Sequence, residues 1–143
     1  MLPADSASRA GSTPEASGDW SSGTFGTKNM RTPWKAIYLE LPTSDIAAAI
    51  HYFETHLGFT TDFHLIEIGY GKITRDDQSI FLSRVDGPFE PRSCMIYTED
   101  IQAAYKEMKD AGVEICREIE ALSVGATEFS VRVSDGHIFT IFH

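Results

Sequence analysis

The stretch "DIAAAIHYFETHLGF", Asp45–Phe59, has a counterpart in "DIQAAYKEMKDAGVEI", Asp100–Ile115. Each opens on an aspartate and reaches a glycine after twelve or eleven intervening residues, at Gly58 and Gly112. A helical period runs between those ends. Ile46, Ala49, Ile50, Phe53 and Leu57 recur at the spacing of one helix face, as do Ile101, Ala104, Tyr105 and Met108. In the first copy Ser44 is the expected N-cap, with Asp45 in the first turn, and Gly58 ends the helix.

The surroundings repeat as well. Before the first helix, "KAIYLELP" alternates, with Ile37, Leu39 and Leu41 on one face and Tyr38 and Glu40 on the other. Before the second, "RSCMIYTE" sets Cys94, Ile96 and Thr98 against Ser93, Met95 and Tyr97. After the first helix come "TTDFHLIEI", "GKITR" and "SIFLSRV", divided by turns at "GYG" and "DDQ". After the second come "VEICREIEAL", "EFSVRVS" and "HIFTIFH", divided at "SVGA" and "DG". "DDQSIFLSR" lies over "SDGHIFTIF", with Ile80-Phe81 matching Ile138-Phe139. The chain therefore reads as a tandem strand–helix–strand–strand–strand unit of about fifty residues. One unit is too small to close a core of its own, and two can curl around a shared cleft.

Composition narrows the function. Residues 1–33 hold three acids and three bases, so residues 34–143 carry the whole net charge of -9. That balance argues against nucleic acid, which needs a basic face. It suits an acidic surface that keeps the protein in solution, or a cationic partner. No apolar run reaches membrane-spanning length, and the N-terminus has no apolar signal region. The two cysteines, Cys94 and Cys116, have no metal or redox spacing and read as buried small hydrophobes in a reducing, cytoplasmic setting. Residues 1–33, rich in Ser, Gly, Thr, Ala and Pro, read as a flexible tail, with Met30 an alternative start. The domain is expected over 34–143, as modules 34–87 and 91–143.

Asp45, Tyr52-Phe53, Leu57-Gly58-Phe59, Asp100 to Gly112-Val113 and Asp135-Gly136, in this order and at this spacing, resemble the vicinal-oxygen-chelate superfamily. It contains glyoxalase I, extradiol dioxygenases and bleomycin-resistance proteins. His137 stands where that pattern usually has asparagine. The resemblance implies an α+β fold of two tandem βαβββ modules, whose eight strands form an incomplete barrel around a cleft. It also implies a homodimer in which the clefts are completed across the interface.

Metal-dependent proteins similar to this chain place ligands at four equivalent points, which here hold Tyr38, Leu82, Ser93 and Thr140. Leucine has no donor atom, Ser and Thr are poor ligands, and one phenolate is not a site. The five histidines do not replace the missing ligands and read as surface or half-buried residues. His51 and His56 are five apart on a helix and diverge, and His64 has no acid or His two residues away. No nucleophile elbow, phosphate loop or dinucleotide fingerprint is present.

Alternation then assigns the cleft. Tyr38 and Glu40 share one face of the first strand. Ser93, Met95 and Tyr97 share one face of the fifth, and Ile138, Thr140 and Phe142 one face of the last. Arg132 and Glu128 point away from Phe129, Val131 and Val133. A cavity lined by Tyr38, Glu40, Leu82, Ser93, Met95, Tyr97, Arg132 and Thr140 is aromatic and apolar with a few polar groups, as small-molecule pockets are. Glu40 needs a partner there: Arg132, or a ligand cation beside Tyr38 and Tyr97. The function this supports is metal-free, cofactor-free binding of an aromatic ligand, with a cation suiting Glu40, and no catalytic residue. The alternative is a lyase, isomerase or dioxygenase of the same superfamily with shifted metal ligands.

Overall fold

The structure is a computed structural model and describes residues 31–143. The expectation of a flexible tail falls, for residues 1–30, outside the described residues. Tyr38–His143 forms one compact unit. Residues 31–37, which belong to the segment before it, hold neither helix nor strand, so the first strand begins at Leu39 and not near Lys35.

The first module runs β1 (Leu39–Thr43), α1 (Ile46–Leu57), β2 (Thr60–Leu65), β3 (Tyr70–Arg75) and β4 (Gln78–Arg84). The second runs β5 (Ser93–Tyr97), α2 (Ile101–Asp110), β6 (Glu114–Ala121), β7 (Thr127–Arg132) and β8 (Ile138–Phe142). Each makes one four-stranded mixed sheet, ordered β1-β4-β3-β2 and β5-β8-β7-β6. In both, the first strand pairs parallel with the last and the remaining pairs are antiparallel. The two βαβββ modules are thus present as two separate sheets, not closed into a barrel. "TTDFHLIEI" is not one long strand, because Ile66–Ile68 turns as a short 3-10 segment before β3.

The helix starts repeat in atomic detail. The carboxylate of Asp45 accepts the N–H of Ala48 at 3.1 Å, and that of Asp100 accepts the N–H of Ala103 at 3.0 Å. Two residues earlier, the hydroxyls of Thr43 and Thr98 accept the N–H groups of the same aspartates. The N-cap of α1 is therefore Asp45 and not Ser44, because only the aspartate side chain reaches an unpaired N–H of the first turn. At the other end Gly58 takes φ 69°, a left-handed conformation that glycine adopts without steric cost.

Both helices pack on one core. Leu41, Phe53, Ile73, Leu82, Phe129, Val131, Phe139 and Ile141 are fully buried in it. Phe53 of α1 meets Phe139 of β8 with ring centroids 6.1 Å apart, so the modules share this core. Polar contacts reinforce the join. His56 Nδ1 donates to the carbonyl of Ala111 at 2.7 Å. Arg75 bonds the carbonyl of Leu57 at 2.8 Å and the carboxylate of Glu107 at 3.0 Å. His137, expected at the surface or half-buried, is 1% exposed. Its Nδ1 accepts the N–H of Arg92 and its Nε2 donates to the carbonyl of Pro42, both at 2.8 Å. A turn residue in sequence is thus a buried clasp between modules. Cys116 is exposed rather than buried, because β6 is an edge strand whose register breaks beside it. No helix among the described residues is long and apolar enough to cross a membrane.

Candidate functional site

Helices cover one face of each sheet, and the opposite face is open. On the first sheet the register sets Glu40 of β1 beside Phe81 of β4, Phe81 beside Lys72 of β3, and Lys72 beside Phe63 of β2. Directly paired strand residues point the same way, so this row of acid, aromatic, base and aromatic stands on one face. Around it the rings touch. Tyr38 meets Phe81 edge-on with centroids 5.2 Å apart, and Tyr70 lies 5.4 Å from Phe81. Phe63 lies 6.4 Å from Tyr70 and 6.3 Å from Phe81.

One charge stands at the β1 edge of this aromatic floor and another within it. Ser83 donates its hydroxyl proton to the Glu40 carboxylate. Lys72 Nζ lies 5.5 Å from the Tyr38 ring centroid and 5.8 Å from that of Phe81, within cation–π range. The Asp62 carboxylate is 3.6 Å from Lys72 Nζ and takes a 2.6 Å hydrogen bond from the Thr74 hydroxyl.

The second sheet has its own open face. Met95 pairs with Thr140 and Thr140 with Ser130, while Tyr97 pairs with Phe142 and Phe142 with Glu128. The hydroxyls of Ser130 and Thr140 are 2.9 Å apart. Tyr97 meets Phe142 edge-on at 5.5 Å and stacks over His143 at 5.8 Å. Met95 and Tyr97 remain 63% and 59% exposed, whereas Ser130 of the same face is buried. Arg132 pairs with Glu114, and Arg117 with Glu128.

The eight residues read as cleft-lining in sequence divide into three groups. Tyr38 and Glu40 stand together on the first sheet. Ser93, Met95, Tyr97, Arg132 and Thr140 stand on the second. Among the described residues no hydrogen bond, ion pair or aromatic contact links the two sets. Leu82 belongs to neither: it is 1% exposed, in the core, and Phe81 and Ser83 take the open face of β4. The matched "IF" dipeptides mislead here. Ile80 and Leu82 are buried in β4, whereas Phe139 and Ile141 are buried in β8. The sequence match is one residue out of phase with the sheets, and a one-residue slip turns every side chain to the other face.

Arg132 is likewise not the partner of Glu40, since Glu114 holds it across the β6–β7 pair and Ser83 holds Glu40. Lys72, Phe63, Tyr70, Phe81 and Ser83 are the residues that sequence reasoning missed. The alternation of Tyr70, Lys72 and Thr74 against Gly71 and Ile73 was available to find part of this set.

These faces do not fit a divalent metal. Of the four ligand-equivalent residues, Leu82 is in the core and the Thr140 hydroxyl is engaged with that of Ser130, which leaves one phenol and one serine hydroxyl, Tyr38 and Ser93, as donors. Among the described residues no three His, Cys, Asp or Glu side chains converge on one point. What the first sheet does offer is an aromatic surface with an ammonium over it and an oriented carboxylate beside it.

The fold is that of the glyoxalase, bleomycin-resistance and dioxygenase proteins. A bleomycin resistance determinant encoded on the transposon Tn5 superposes with TM-score 0.68 at 19% identity, covering 77% of this chain and 98% of its own. A bleomycin-binding protein complexed with bleomycin gives 0.66 at 19% identity, with coverages of 77% and 98%. A glyoxalase/bleomycin resistance protein/dioxygenase from Nocardioides gives 0.66 at 16% identity, with coverages of 85% and 91%. No protein-family model matches the sequence, and no curated protein does. The likeness to the vicinal-oxygen-chelate superfamily thus rests on the fold together with the motif order in the sequence.

Proposed function

We propose that the chain is a metal-free binding protein that sequesters a small aromatic molecule, and that it works as a cytoplasmic homodimer. The observation that carries this reading is the aromatic face of the first sheet, where Tyr38, Phe63 and Tyr70 gather around Phe81, half-buried, with Glu40 as the register neighbour of Phe81. Large bare apolar faces mark binding or interaction surfaces. Glu40 accepts a donor or cationic group of the ligand, and Ser83 holds the carboxylate in position for it. The bleomycin-binding structural neighbour, solved with its ligand, supports the small-molecule reading.

The homodimer follows from the repeat. One chain has two related faces, on two sheets, that its helices leave open. Setting the first-sheet face of one copy against the second-sheet face of another covers both faces twice, in a closed twofold pair. Met95, Tyr97 and Thr140 of one copy would then roof the aromatic floor of the other.

The test has three parts. A sedimentation mass of two chains at micromolar concentration is expected, and a mass of one chain would remove the composite cleft. A thermal-shift series of aromatic compounds, neutral, cationic and anionic, should contain members that raise the melting temperature by mass action. Elemental analysis of dialysed protein should find no stoichiometric Fe, Mn, Ni or Zn. A retained, near-stoichiometric metal would overturn the metal-free reading in favour of a lyase, isomerase or dioxygenase.

A further inference from the structure

We infer that Lys72 makes the aromatic face of the first sheet a two-charge site, selective for a single-ring aromatic acid that carries a hydroxyl or amino group opposite its acidic group. This inference rests on the small-molecule reading above and specifies the class of its ligand.

Three observations carry it. First, Glu40 and Lys72 are the register partners of the same residue, Phe81, on its two sides. Neighbouring strands are about 4.8 Å apart, so the two backbones stand about 10 Å from each other across the Phe81 ring. The Lys72 ammonium reaches over the Phe81 ring from one side, and the Glu40 carboxylate stands on the other side, held by Ser83.

Second, Lys72 already takes the place of a ligand cation. Its ammonium sits against the rings of Tyr38 and Phe81, where a cationic ligand would otherwise stack. A ligand with positive charge alone meets a like charge there. A ligand with an anionic group at that end meets a complementary one.

Third, the Lys72 ammonium has an ion-pair partner but no direct hydrogen bond. Its side chain is only 25% exposed, and its nearest carboxylate, Asp62, lies 3.6 Å away, beyond hydrogen-bond reach. Asp62 is itself held by Thr74. Among the described residues no acceptor forms a hydrogen bond with Lys72 Nζ. A ligand carboxylate therefore gains direct, charge-assisted hydrogen bonds without breaking one. Its ring lies on Phe81, flanked by Tyr70 and Phe63, and its far hydroxyl or amine donates to Glu40.

Calorimetric titration of the full chain with 4-hydroxybenzoate, its methyl ester and benzylamine tests this. The acid should bind about ten- to a hundredfold more tightly than the ester. Lys72→Met should weaken the acid to the level of the ester and leave the ester unchanged. Lys72→Arg should keep the preference, and both variants should melt close to the parent temperature. If Lys72→Met fails to fold, the acid-to-ester ratio in the parent protein and in Lys72→Arg decides the matter. Equal binding of acid and ester by the parent protein, or a preference that survives Lys72→Met, would overturn the inference. Binding of benzylamine or the ester without the acid would overturn it and leave the small-molecule reading standing. If none of these probes binds, and no aromatic compound of the thermal-shift series does, both fall together.

Discussion

His137 donates its Nε2 proton to the carbonyl of Pro42, 95 positions away in sequence, while its Nδ1 accepts the N–H of Arg92. Both ring nitrogens are satisfied in a site that is 1% exposed. The imidazole thereby ties β1 of the first module to the strand entry of the second, and Phe89 stacks on it at 6.1 Å. Removing the ring would leave the buried Pro42 carbonyl and the partly buried Arg92 N–H without their partner and open a cavity between modules. His137→Ala should cost about 2–4 kcal/mol in urea unfolding. A loss below half a kcal/mol would show that water replaces the clasp freely.

The caps predict a contrast between neighbours. Asp45 accepts a first-turn N–H and also lies near the positive end of the α1 dipole. Asp45→Ala should cost about 1 kcal/mol. Ser44→Ala, one residue earlier, should cost close to nothing. Equal losses in the two variants would contradict the assignment of Asp45 as the N-cap.

The two thiols should differ in reactivity. Burial pushes the Cys94 thiol up to about 11, whereas Cys116 is exposed. A raised value favours the protonated form, so at pH 8 only about one Cys94 in a thousand is a thiolate, and the thiolate is the reactive species. Alkylation of the native protein at pH 8 should label Cys116 and spare Cys94. The sign for stability is the same: the neutral thiol is tolerated below its ordinary range, and stability declines as pH rises through that range toward 11. Peptide mass mapping after a short iodoacetamide pulse checks the labelling, and rapid modification of Cys94 would contradict it.

Glu40→Gln keeps the shape of the side chain and removes its charge. Because Ser83 and not Arg132 holds Glu40, the change leaves no unpaired arginine, and the melting temperature should move little. Affinity for an aromatic ligand bearing an amine should fall about ten- to a hundredfold, while a neutral aromatic ligand should be nearly unaffected. Equal affinity of parent and variant for every amine that binds would end the role assigned to Glu40.

The repeated aspartates and glycines located both helices and the order of all eight strands, because caps, turns and hydrophobic periods act over a few residues and are written locally. Alternation also grouped Tyr38 with Glu40, and Ser93, Met95 and Tyr97 with one another, since a strand side chain's face follows from its parity alone. Tertiary structure decided what parity could not. It set the phase of β4 relative to β8, which moved Leu82 into the core and brought Phe81 and Ser83 to the open face. It chose Glu114 for Arg132 and Ser83 for Glu40, because ion pairs depend on which strands become neighbours and in what register. It put Lys72 over two aromatic rings from distant segments, and it buried His137 between modules, where sequence showed only a turn. Each of these is a relation between distant segments, set by packing one core from two halves, and no local pattern encodes it.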